Sequence, residues 1–272
     1  FCFSMMILTI SSYSYWLAAH QGNCGGIICS FIIMACLLNR RYPVLSGILL
    51  GFAMVKPQTA LIICFAMLLA GRWKTLLTTA VMVSVSWIIS ALYVDTGIWE
   101  LMGEFLAADI GGGDAYRGIA EPLQSFLPQS VIMPLSMLAG VLYVWLLWRK
   151  KKGQASTFLL FTIAAIAADF WCYSWNMECF MLFLPAIAAF YFALTEYKKS
   201  SKLIFFLVGC YCCLSWRMIP LGMTAGFFLK GTVNPQALHY GFSVYDMGLI
   251  LCGLYLCRYG HWEKLDAIMH RN

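Results

Sequence analysis

Charge is what this chain has least of. Only 11% of its 272 residues are Asp, Glu, Lys or Arg, against 62% hydrophobic, and the mean hydropathy is +0.78. Soluble domains carry roughly 45–50% apolar and about 25% charged residues, so a water-soluble fold of this size would lack the polar surface to cover itself. Disordered, collagen-like and disulfide-scaffold classes fail on the same figures. Histidine is scarce too. His20, His239, His261 and His270 fall on three different joints or tails without ligand spacing, and no metal or cofactor is expected. A phosphate-cradling glycine loop is also missing. Gly111-Gly112-Gly113-Asp114 fits neither a Rossmann nor a P-loop pattern, which would need a preceding strand. No cleavable signal peptide is visible. Phe1 opens inside an apolar run without Met, so the chain reads as a fragment lacking its true N-terminus.

What is present is apolar sequence in membrane-sized pieces. A bilayer-crossing helix needs about 20 mostly apolar residues, and candidate spans are 1–18, 25–38, 45–70, 75–94, 131–148, 155–171, 179–194, 203–216 and 241–257. The expected fold is all-α: one polytopic membrane domain, 1–272, of about nine to ten membrane helices including short broken ones. Stretches 95–130 and 217–240 are the expected external loops. Most of the twelve cysteines sit inside the apolar runs, where Cys is a small hydrophobe. Cys210 and Cys213 form a C-x-x-C within a span and are assigned to packing.

The net charge of +6 comes from short basic clusters between spans rather than from a nucleic-acid-binding stripe. They are Arg40-Arg41, Arg72 with Lys74, Arg149 to Lys152, Lys198-Lys199 with Lys202, and the tail from Arg258 to Arg271. Assigning all five to the cytoplasm places 14 of the 18 Lys and Arg there, and leaves nine of the twelve acids on or near the opposite side. That orientation puts the C-terminus in the cytoplasm.

Residues 45–70 resist this scheme, because cytoplasmic signals flank both ends of a segment too short for two spans. Lys56-Pro57 lies at its centre, where Pro breaks a helix and a buried Lys is expensive. Two half-helices meeting at Lys56-Pro57 in a water-filled cavity meet both constraints. The alternative is a single tilted span with Lys56 paired elsewhere.

An ionisable residue at membrane depth is a functional candidate. Lys56, with Gly47 and Gly51 before it and Gln58 after it, could present an ammonium to an anion such as a lipid phosphate, or could instead be a bundle-stabilising ion pair. Gln21 and Asn23, in His20-Gln21-Gly22-Asn23, offer donors and acceptors suited to hydroxyl-rich ligands, or simply make a polar turn. Asp114, Tyr116 and Arg117 beside the triple glycine read as a covering loop or a solvated linker. Asp169, Trp171, Tyr173, Trp175, Asn176 and Glu178 gather at one span boundary, either as interfacial anchors or as rings and carboxylates for a sugar. Arg217 is a further cation for a phosphate.

From Gln21 onward the chain resembles family 87 of the glycosyltransferases, integral membrane mannosyltransferase-like enzymes of the C-type superfamily. The resemblance rests on His20-Gln21-Gly22-Asn23, an apolar span, Asn39-Arg40-Arg41, and then Leu45-Ser46-Gly47-Ile48-Leu49-Leu50-Gly51-Phe52-Ala53-Met54-Val55-Lys56-Pro57. Gln124-Ser125 resembles the family's Gln-Ser element, and Tyr173-Ser174-Trp175 followed by Leu184-Pro185 its Ser-Trp element. His20 stands where Gly is usual. Asn176, Met177 and Glu178 stand where histidines commonly follow.

The resemblance implies transfer of a sugar, mannose in the nearest reading, from a polyprenyl-phosphate donor to a lipid or glycan acceptor on the non-cytoplasmic side of a bacterial plasma membrane. It places the general base in the first external loop, ahead of Phe1, with Glu178 or Asp114 as fallback bases. Gln21, Asn23, Lys56, Gln58, Trp175 and Arg217 are then the substrate-binding set. Expected partners are the lipid-linked donor, the acceptor and membrane lipids, with no nucleic acid. A multi-pass transporter or lipid flippase is the rival reading, since half-helices at mid-membrane also serve transport.

Overall fold

The computed structural model describes residues 25–111, 126–151, 156–170, 179–214 and 235–269, and among these every regular element is helical. In chain order they are α1 Gly25–Leu38, α2 Pro43–Ala53, α3 Pro57–Leu69, α4 Trp73–Val94, α5 Ile98–Gly111, α6 Gln129–Lys150, α7 Thr157–Phe170, a 3-10 turn Cys179–Leu182, α8 Phe183–Thr195, α9 Lys199–Leu214, α10 Pro235–Tyr259 and α11 Trp262–Met269. The expected span 1–18 lies outside the described residues.

α7 is the hub. Its sequence TFLLFTIAAIAADF has no polar stripe, and an all-round apolar helix must be enclosed. Every residue from Thr157 to Ala168 is buried. α3, α6, α8, α10, α11 and the 3-10 turn all pack on it. The small residues Ala164, Ala165, Ala167 and Ala168 leave room for so many neighbours. A second group forms beside it, with α2 lying along both α1 and α4.

The outer surface is the reverse of a soluble protein's. α4 exposes Leu77, Val81, Val85, Ile88, Ile89 and Leu92, and α6 exposes Leu135, Leu138, Leu142 and Leu146. Soluble monomers rarely leave contiguous apolar faces of this extent uncovered. By length and composition α4, at 22 residues, can cross a membrane; α1, α2, α7 and α8 are apolar but shorter, as is the stretch Thr59–Leu69 of α3.

Two expected loops are partly helical. The stretch 95–130 begins with α5 and ends in the first residues of α6, and the last part of 217–240 belongs to α10. In α5 the acids Glu100 and Glu104 mask a helical recurrence of Ile98, Leu101 and Met102, and Glu100 sits in the first turn, where a carboxylate favours the helix dipole. Thr96 Oγ1 donates to Glu100 Oε2 at 3.0 Å, fixing that turn. The tail after Arg258 also carries a short helix, α11, whose few apolar residues are interleaved with Glu263, Lys264 and Asp266.

Helix ends explain the joints. α3 stops at Gly71, in the left-handed region at φ 69°, where Arg72 N–H reaches back to Met67 O at 2.9 Å. α4 stops in the same way at Asp95, φ 55°, with Thr96 N–H bonded to Ala91 O at 3.1 Å. Gly takes that conformation freely, whereas Asp does so at a cost.

Candidate functional site

The segment after α1 is a broken hairpin. α2 runs to Ala53, three residues turn, and α3 starts at Pro57, whose fixed φ and missing N–H suit a first helical position. Lys56 caps that start with an extended backbone at φ −117°. Its carbonyl accepts from Thr59 N–H at 3.2 Å and Ala60 N–H at 3.3 Å, while its own N–H donates to Ala53 O at 3.0 Å. A single tilted span is therefore not what the chain builds.

Both ends of the hairpin return to one place. Arg40, just before α2, and Arg72, just after α3, each donate from Nη2 to Thr157 Oγ1 at 3.0 Å. Arg40 also lies 3.8 Å from Asp266 of α11. Burial first, and the neighbouring Arg40 second, hold the Arg72 guanidinium below its ordinary value, with Asp266 pulling the other way. Further along the same face, His261 Nε2 meets Glu196 Oε2 at 3.2 Å. A cavity there has Lys151, Ser156, His261, Glu263 and Lys264 among its lining residues. All five basic joints thus assemble at one end of the helical body, as charge patterning predicts.

This fixes the level of Lys56. Eleven residues of α2 rise about 16 Å, roughly half the thickness of a hydrocarbon core. The turn carrying Lys56 lies at the tip away from the basic end, with the residue partly buried. α2 is held there by close helix contact. A Cβ on Gly47 would come within 2.5 Å of Thr78 Cβ and 2.6 Å of Thr75 O, and one on Gly51 within 2.6 Å of Met82 Cβ. Thr79 Oγ1 donates to Gly47 O at 3.1 Å, and Ser46 Oγ to Ala35 O at 2.8 Å. The Gly47-x-x-x-Gly51 spacing is thus a helix-approach surface, as its small residues suggest.

A second ionisable residue lies within a helix packed on the same hub. Asp246 lies in the middle of α10 and is 4% exposed. Thirteen residues separate it from Tyr259 at the basic end, a rise of about 20 Å. α10 and α3 both pack on α7. Beside Asp246, Tyr245 stacks on Tyr211 with ring centroids 5.4 Å apart, and Tyr211 Oη donates to Tyr245 O at 3.0 Å. Sequence reasoning passed over Asp246 although its signal was plain: an acid inside the apolar run 241–257.

Of the other expected site residues, the backbone of Gln58 lies in the first turn of α3. Gln21, Asn23, Asp114, Trp175, Glu178 and Arg217 lie outside the described residues, as do the loop residues Tyr116 and Arg117. The described part of the candidate site is therefore a lysine at the tip of a broken hairpin, with a buried carboxylate on another helix packed against the same hub. An ammonium in such a place can neutralise an anionic group.

Comparison with curated proteins and with solved structures gives no match. A family comparison does. The matched residues, 2–168, cover more than half of the chain and include Gln21, Asn23, the whole hairpin with Lys56 and Gln58, and Asp114; Trp175, Glu178 and Arg217 fall beyond them. The chain belongs to glycosyltransferase family 87.

Proposed function

We propose that this glycosyltransferase is a polytopic membrane protein that moves mannose from a polyprenyl-phosphate donor to a lipid or glycan acceptor on the non-cytoplasmic side of a bacterial plasma membrane. The observation that carries the proposal is the hairpin that returns to the basic end and leaves Lys56 about half a bilayer away. The outward apolar faces of α4 and α6 support membrane embedding, and the convergence of the basic joints supports placing that end in the cytoplasm.

In this reading Lys56 holds the lipid phosphate as the glycosidic bond to it breaks, stabilising the charge that gathers on the leaving group. Arg217 adds a second cation. Gln21, Asn23, Gln58 and Trp175 contact the sugar. The acceptor hydroxyl loses its proton to a carboxylate, for which Glu178 and Asp114 are the candidates within this sequence.

The test uses membranes containing the full-length protein and radiolabelled polyprenyl-phosphate-mannose. Label should pass to a lipid or glycan, and Lys56→Ala should abolish transfer while membrane insertion stays normal. Unchanged turnover in the variant removes Lys56 from the site. Absence of transfer from several lipid-linked sugars, with folded protein and measurable lipid flux across vesicles, favours the transporter reading that broken helices also permit.

A further inference from the structure

The basic end carries a cavity that neither the hairpin nor sugar transfer uses. It measures about 480 Å³ and lies between the last turns of α6 and α10, lined by Leu147, Lys150, Lys151, Leu254, Tyr255, Cys257, Arg258 and Tyr259. Three of these side chains are cations, and no carboxylate is among them. Cations in a last helical turn offset the helix dipole, so one apiece on α6 and α10 would need no further explanation. Here the three converge on a single hollow large enough for a small headgroup.

The surroundings specify an amphiphile. Tyr255 and Tyr259 pack against one another with centroids 4.9 Å apart, and Arg258 lies 5.3 Å from the Tyr259 ring centre. Tyrosine at this level is what a headgroup region favours. Along the two helices, away from the basic end, the exposed residues become aliphatic. Leu254, Leu251 and Met247 on α10 are 40%, 62% and 54% exposed, and Leu146 and Leu142 on α6 are 54% and 43% exposed. Cations and phenols therefore sit above exposed apolar helix faces that could cover acyl chains.

We propose that this cavity binds the phosphate headgroup of an anionic phospholipid, with its acyl chains along α6 and α10. The inference rests on the membrane embedding proposed above but not on sugar transfer. The phosphate sits among Lys150, Lys151 and Arg258, and the tyrosines flank the glycerol region. Polybasic sites near a membrane surface gain from each Lys or Arg, so removing one of the three cations weakens lipid retention about fivefold.

The experiment is native mass spectrometry and thermal unfolding of the full chain in detergent, titrated with phosphatidylglycerol, phosphatidylcholine or inorganic phosphate. The wild type should retain phosphatidylglycerol at least tenfold better than phosphatidylcholine and gain thermal stability from it alone. The variant Lys150→Gln/Lys151→Gln/Arg258→Gln should lose that preference. A control, Lys198→Gln/Lys199→Gln/Lys202→Gln, removes three exposed charges from the same end and should keep it. Equal loss in the control means general surface attraction and overturns the site. Equal retention of both lipids overturns it too, as does full displacement of the lipid by millimolar inorganic phosphate. Should label transfer fail in every lipid-linked sugar while the lipid preference stands, the functional proposal falls alone.

Discussion

Residues 43–69 and the helix that follows them, α4, are both apolar and adjacent, yet they behave oppositely. α4 runs unbroken for 22 residues, from the basic end to Asp95. The segment before it stops after eleven, turns at Met54 to Lys56 and comes back. Apolar content does not separate the two. The difference comes from Lys56-Pro57 at the middle of one segment, and from where the ends are held, with Arg40 and Arg72 both bound to Thr157. A proline supplies a place to break, and the shared anchor decides that the chain returns.

Substitutions can sharpen that contrast. The largest effect should follow Lys56→Ala, with turnover falling about 10²–10³-fold, as when one charge-stabilising donor is removed. Val85→Ala on the open face of α4 should stay within about twofold, and label transfer in membranes reads both. Next is Gly51→Leu. A Cβ there already meets Met82, so the larger side chain should push α2 off α4 and cost about 1–3 kcal/mol. Ser86→Leu, on the exposed face of α4, should be nearly neutral in the same thermal unfolding assay.

Thr157→Val removes the acceptor shared by Arg40 and Arg72 and should cost about 1–3 kcal/mol. It should also speed amide exchange in α2 and α3 more than in α4; equal acceleration would mean the hydroxyl does not pin the hairpin. Asp95→Gly should stabilise α4 by about 0.5–1 kcal/mol by relieving the left-handed residue. Gly71→Ala, at the matching end of α3, should do the reverse.

The smallest effect is a pH dependence at the joint between α8 and α9. Glu196 accepts from Lys198 N–H and Tyr197 N–H and meets His261, and chiefly the Lys198 bond holds its carboxyl below the usual range. A carboxyl lowered by folding contributes fully above its unfolded value and loses that contribution as pH falls through the folded one. Exchange at the Tyr197 and Lys198 amides, corrected for intrinsic rates, should quicken only in that acidic range. Glu196→Gln should flatten the response.

The sequence revealed the break in the hairpin because the cause of the break is local. Lys-Pro, glycines four apart and basic residues at both ends are all visible in one stretch. α5 was hidden because its acids broke the apolar run that marked the other helices, although carboxylates near a helix start favour it. Asp246 was overlooked inside a run otherwise apolar enough to pass as an ordinary span. Thr157 had no signal at all. A threonine at the start of an apolar helix acquires meaning only when Arg40 and Arg72, distant in sequence, arrive at its hydroxyl. Long-range partners of this kind are set by tertiary packing and leave no spacing to read.

That hydroxyl also bears on how the protein is made. Arg40 and Arg72 precede Thr157 by 117 and 85 residues, so the hairpin emerges long before the atom that ties its ends together. At about 5–20 residues per second, the wait after Arg72 is about 4–17 s. α2 can lean on α1 and α4 during that interval, but α3 has its main neighbour in α7. Until α7 is made, α3 therefore has only its lesser contacts with α2 and α4, and the hairpin is completed from the C-terminal side of the chain.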